Sequence, residues 1–253
     1  MPFIGNKPSA VPLTSADITD GIIVNADIAN STINLTTKVT GTLPVANGGT
    51  GLAALGTANQ VLAVNSGATA LAYTSVSSDF VLLATSDITS STASASFDGY
   101  FSSTYKNYFI TFSQIKTVSN AYLWLRVRQS NADLTASCNL IANYSYYNTD
   151  TSGGQSYTGQ IGASHFRLGH DSTSSTNDAT RNGFFYIFNP LSSSGSYKMI
   201  LGETVYFDNT ASRIYNETFS GLYTGNTNAL SGITFLASTG NISLGNFKLY
   251  GLK

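Results

Sequence analysis

The chain has 253 residues, a formal net charge of −1 and only 10% charged residues, well under the roughly 25% usual for soluble domains. No apolar run approaches the ~18 residues that span a bilayer, and Lys and Arg are too few to clamp a phosphate backbone, so membrane insertion and nucleic-acid binding are both excluded as expectations. One cysteine, Cys138, rules out a disulfide within the chain, and Met1-Pro2-Phe3-Ile4-Gly5 has neither the basic nor the apolar region of a secretory signal.

In chain order, residues 16–79 stand apart from residues 80–253. Between Phe3 and Tyr73 there is no aromatic residue, so this stretch cannot easily build a core of its own. It does repeat: Ala16-Asp17-Ile18 returns ten residues on as Ala26-Asp27-Ile28, and Ile22-Ile23 is answered by Thr32-Ile33. β-Branched residues recur through it, with Ile18, Ile28, Ile33 and Val39 among them. Short repeats that cannot bury their own apolar faces must stack on something else. The simplest partner is another copy of the chain, which makes Ile18, Ile28 and Ile33 interface residues of an intertwined stalk.

Gly41 to Gly51 then reads as a glycine-rich bend, with Asn47-Gly48-Gly49 supplying left-handed positions and Pro44 interrupting any ladder. It lacks the Gly-Lys-Ser/Thr of a phosphate loop. Gln60–Val64 and Ala70–Tyr73 read as a hairpin around Asn65-Ser66-Gly67.

From Phe80 to the end, short aromatic-rich strands succeed one another between turn signals, an antiparallel β-sandwich of jelly-roll type. Tyr108, Ile110 and Phe112 share one strand face. Leu123, Leu125 and Val127 alternate with Trp124, Arg126 and Arg128. Gly183 to Phe188 is nearly all apolar, which predicts a strand covered on both faces. Met199–Leu201, Thr204–Phe207, Gly232–Leu236 and Phe247–Gly251 continue the series. Asn131-Ala132-Asp133, Ser152-Gly153-Gly154, Ser193-Ser194-Gly195 and Asn241 mark turns, and the stretch from Asn143 to Ala179 reads as long Tyr-, Ser- and Gly-rich loops.

Within these loops Tyr144, Tyr146, Tyr147 and Tyr157 lie among Asn, Gln, Ser and Thr. Tyrosine faces stack on the C–H faces of sugars while amides and hydroxyls bind their rims. These four, with His165, are the candidate ligand-binding residues, although Tyr144 and Tyr146 also fit as filling of the sandwich. Trp124 and Arg126 suit a subunit interface, where such residues are favoured. Catalysis finds little support. Glu203 and Glu217 are the only glutamates, and they serve a glycosidase only if they converge. His165 and His170 lack further ligands for a metal, and no cofactor motif is present.

Several stretches resemble a known family. Phe3-Ile4-Gly5-Asn6-Lys7-Pro8, Val11-Pro12-Leu13-Thr14-Ser15-Ala16-Asp17-Ile18, Asp20-Gly21-Ile22 and above all Gly41-Thr42-Leu43-Pro44-Val45-Ala46-Asn47-Gly48-Gly49-Thr50-Gly51 resemble tail-fibre and virion proteins of marine and other tailed bacteriophages. Tyr105-Lys106-Asn107-Tyr108, Leu123 to Val127, Gly183 to Pro190 and Gly245 to Gly251 are similar, more loosely, to the β-sandwich heads of such fibres. The resemblance implies a homotrimer in the virion. Residues 1–15 would attach to other tail proteins, 16–79 would form a trimeric stalk, and 80–253 a head that meets a host-surface glycan or receptor without catalysis. The alternatives are a purely structural decoration or fibre cap, and a glycan-degrading fibre. The 143–179 loops match nothing in the family, so the receptor does not carry over.

Overall fold

A computed structural model describes residues 14–34, 40–76, 78–148, 153–170, 180–193, 195–208 and 212–253. Residues 1–13 of the expected attachment segment 1–15, Val39, Ser152, Ser194 and the 171–179 stretch lie outside the described residues. The chain divides into two units, Met1–Ser77 and Ser78–Lys253.

In the first unit the sequence repeat becomes a conformational one. Ser15–Asp17 and Asn25–Asp27 are single 3₁₀ turns. In each, the aspartate carboxylate accepts the backbone N–H three residues earlier, from Thr14 at 2.8 Å and from Val24 at 2.9 Å. That backbone bond, joined by the Thr14 hydroxyl, holds the Asp17 carboxyl below its ordinary range. A tight turn comes after each, with Ile22 N–H bonding the Thr19 carbonyl and Thr32 N–H that of Ala29, and with Gly21 and Ser31 both left-handed. Ile18, Ile22, Ile28 and Ile33 remain 37–59% exposed in the single chain. Farther on, Val45–Asn47 forms the glycine-flanked bend. There Gly49 packs so tightly that a Cβ would lie 2.0 Å from the Leu43 carbonyl oxygen. β1 (Gln60–Val64) and β2 (Leu71–Ser75) make the expected hairpin, its turn tied by the Asn65 side chain accepting from Thr69 N–H at 3.0 Å.

The second unit is all-β and antiparallel. Its strands are β3 (Phe80–Ile88), β4 (Ser94–Asp98), β5 (Asn107–Thr117), β6 (Leu123–Gln129), β7 (Ala132–Asp133), β8 (Cys138–Asn148), β9 (Gly153–Ala163), β10 (Phe166–Arg167), β11 (Arg181–Phe188), β12 (Lys198–Asp208), β13 (Arg213–Tyr223), β14 (Gly232–Ala237) and β15 (Ile242–Leu252). Eight of them form one sheet in the order β3-β15-β5-β11-β12-β13-β8-β9. A smaller sheet runs β10-β6-β14-β4, with β7 beside β6.

The two sheets meet through the faces that alternation marks as apolar. Tyr108, Ile110 and Phe112 of the large sheet and Leu123, Leu125 and Val127 of the small one are at most 1% exposed. Phe235 of β14 touches the Phe247, Phe185 and Phe112 rings across the gap, at centroid distances of 4.3, 6.0 and 6.5 Å. The rings need room at the backbone: a Cβ on Gly221 would come within 2.8 Å of Phe166.

Three expectations change. β11 is covered on one face only, since Phe185 and Ile187 are buried but Phe188 is 37% exposed and Phe184 and Tyr186 are half-buried. Its apolar run supplies both a core face and an outer face. Gly153-Gly154 opens strand β9 rather than a turn. Most of the described part of the expected 143–179 loops is the β8–β9 hairpin. Polar and glycine residues dominate it because an edge hairpin needs little apolar alternation to hold its ladder.

Candidate functional site

Strand parity sorts the candidate tyrosines. Tyr144 and Tyr146 of β8 lie on the inner side, half-buried. Tyr144 stacks on His170 at 4.1 Å, and Tyr146 packs on Tyr215 at 5.8 Å with the Arg213 guanidinium 4.6 Å from its ring centre. Tyr147 and Tyr157 face outward, 59% and 78% exposed.

Tyr157 borders a shallow basin of about 600 Å³ on the outer face of the large sheet. Cross-strand pairing assembles it: Tyr157 sits opposite Asn143, Asn143 opposite Thr218, and Thr218 opposite Glu203. One row along, Gln155, Ser145 and Asn216 line up in the same way. Asn216 donates to Glu203 through its side-chain amide at 2.8 Å. Among the described residues Asn143, Gln155 and Tyr157 make no side-chain hydrogen bond, so their donors and acceptors face the basin. One exposed ring, three amides, three serine and threonine hydroxyls and a carboxylate in a shallow polar trough match the recognition needs of a sugar: a flat apolar face with polar groups around it. Tyr147 lies in a neighbouring basin with Ile214, Val205 and Gln155. The structure thus brings Tyr147 and Tyr157 to one face; Tyr144 and Tyr146 also line the two basins but pack their rings on His170 and Tyr215, and His165 lies on the small sheet. Asn143, Gln155, Asn216 and Thr218 are not distinguished by residue type in an Asn- and Thr-rich chain; only the strand register groups them.

His165 stacks on Trp124 at 3.8 Å and 17° on the outer face of the small sheet, and its ring nitrogens meet Ser164 and Gln160, each at 3.1 Å. One face of the Trp124 indole is therefore covered from within the chain. Arg126 is similarly engaged, donating to the Ser164 carbonyl at 3.2 Å and pairing with Asp133 at 3.5 Å. Arg128 bridges Asp98 and Asp133.

Burial first, then the charges of Arg126 and Arg167, push the His165 pKa down to about 4. With a folded pKa below the ordinary 6.5, its stabilising contribution is present above pH 6.5 and is lost as pH falls from 6.5 toward 4. Between pH 7 and 5 the loss is about 1 kcal/mol, discounted for a ring that stays partly solvated. The melting temperature should fall over this interval. His165→Phe keeps a ring on Trp124 and should remove most of that fall; an equal fall in both proteins would mean that another group titrates.

The two glutamates do not converge. Glu203 pairs with Thr218 and Glu217 with Thr204 on adjacent strands, so one side chain points outward and the other inward. Glu217 is 1% exposed. Burial raises its pKa, opposed by Arg181 and by the Gly169 and His170 amides. A Glu203/Glu217 glycosidase pair is thereby excluded. His165 and His170 are likewise separated, each stacked on a different ring. Among the described residues no helix is long and apolar enough to cross a membrane.

No family model, curated protein or solved structure matches the chain.

Proposed function

We propose that the chain is a phage virion fibre protein that binds rather than catalyses: a homotrimer whose N-terminus docks on the tail, whose residues 16–79 form a stalk, and whose sandwich head, jelly-roll-like, holds a host-surface glycan. The observation that carries this reading is the outer basin, where Tyr157 stands 78% exposed beside Asn143, Gln155, Asn216, Thr218 and Glu203. A side chain that large and that open contributes little to the fold, while its face suits a pyranose ring. The stalk reading is supported by the ten-residue repeat, whose isoleucines stay 37–59% exposed. Three heads would hold three copies of a weak site, and avidity then supplies the affinity that one shallow trough lacks.

A decoration or capping role has no such need for an open aromatic trough. The purified full chain should give a light-scattering mass about three times 26.7 kDa and should bind whole host cells. Periodate oxidation of the cell-surface sugars should abolish that binding. Cells bound equally before and after oxidation would remove the glycan, and no binding at all would favour decoration.

A further inference from the structure

The outer face of the large sheet carries a second feature, separate from the polar basin. One register row crosses all eight strands as Leu82, Tyr250, Phe109, Tyr186, Leu201, Ser220, Ile141 and Gly159. The adjoining row toward the strand ends adds Phe80, Phe188 and Met199. Phe80, Phe109, Tyr186 and Phe188 touch ring to ring, at 5.4, 4.9 and 6.1 Å. Neither row contains a charged side chain. Leu82, Met199, Leu201 and Ile141 are 48–59% exposed, and Ile161 of β9 is 93% exposed.

We infer that this apolar stripe is an interface between copies of this chain, so that the head assembles through its own sheet face as well as through the stalk. The inference rests on the reading of the chain as self-assembling and names the surface. Three observations select a second copy as the occupant. The stripe spans the full width of an eight-stranded sheet, and a contiguous apolar surface of that kind ordinarily marks an interaction site. It ends on β9, which among the described residues pairs only with β8 and has neither charge nor proline in its eleven residues. Edges so bare are ordinarily guarded. Finally, the repeat in the first unit leaves its own isoleucines 37–59% exposed. A further copy of the chain meets both needs at once, whereas an unrelated partner would have to fit two dissimilar surfaces. A charged partner would find no counter-charge in the stripe.

The test uses the full chain, with Cys138 buried and its thiol pushed up to about 12, so that an introduced cysteine is the reactive one. Met199→Cys lies in the stripe, and Thr218→Cys on the polar part of the same face. In the assembled protein the maleimide reaction at position 199 should be at least ten-fold slower than at 218, with equal rates after denaturation. A second variant, Ile141→Glu with Met199→Glu, should shift dissociation to at least ten-fold higher protein concentration. If the wild-type chain is an oligomer but the two cysteines react equally, or the double variant dissociates like wild type, the stripe is not the interface and the self-assembly reading stands. If the wild-type chain is a monomer, both fall. Flotation of a monomeric chain with phosphatidylcholine vesicles would overturn the inference in favour of a lipid surface.

Discussion

Phe235→Ala should lower the melting temperature of the chain by about 6–20 °C. Phe235 is 0% exposed and, among the described residues, is the one ring of the small sheet in contact with three rings of the large one. Truncating a buried phenylalanine removes about 3–5 kcal/mol through lost transfer energy and the cavity left behind. In a domain of this size each kcal/mol moves the transition by about 2–4 °C. The cavity cannot easily close, because its walls are strands of two hydrogen-bonded sheets. Tyr197→Ala, at a 50% exposed position just before β12, is the matched control. Surface substitutions of that kind stay within about 0.5 kcal/mol. Calorimetry on both variants checks the pair, and a drop under about 2 °C for Phe235→Ala would mean that the sheets do not pack through this ring.

Tyr157→Ala should cut adsorption to host cells by about 10²-fold while leaving the melting temperature within a few degrees of wild type. One lost ring–sugar contact is worth about 1 kcal/mol, less than ten-fold for a single site. In a trimer that loss recurs at every site, and avidity magnifies it toward 10². Tyr157→Phe keeps the ring and should retain most adsorption. Asn216→Ala, which also removes the bond to Glu203, should weaken adsorption without a ring being lost. Near-wild-type adsorption by the Tyr157→Ala/Asn216→Ala double variant would move the site off this basin. A fall of many degrees in Tyr157→Ala would assign the ring to packing instead.

Strands whose inner face is strongly apolar were legible residue by residue. Leu123-Trp124-Leu125-Arg126-Val127 announces its buried and open sides because a hydrophobic residue opposite a charged one leaves a single solution. β9 was not legible. Its sequence, Gly-Gly-Gln-Ser-Tyr-Thr-Gly-Gln-Ile-Gly-Ala, shows no period, since the half-buried face of this edge strand is covered through polar contacts of Thr158 and Gln160 and offers no apolar set to alternate. One glycine there answers a neighbour's bulk: a Cβ on Gly154 would lie 2.7 Å from the Tyr146 ring. For the candidate site, parity alone already places Tyr144 and Tyr146 opposite Tyr147. Which side is inner depends on Tyr215 and His170, which pack on it from remote parts of the chain. The opposed directions of Glu203 and Glu217 arise from a pairing register that no local pattern encodes.

The matching turns at 15–17 and 25–27 have a consequence for how such a protein changes over generations. A segment made of equal ten-residue steps can be lengthened or shortened by whole steps while every later isoleucine keeps its phase. An insertion of half a step would instead turn the next side chains away from their neighbours. Short tandem repeats in coding DNA gain and lose whole units readily by misaligned recombination. In the fibre proposed above, length is therefore a trait that selection can tune without altering one residue of the sheets.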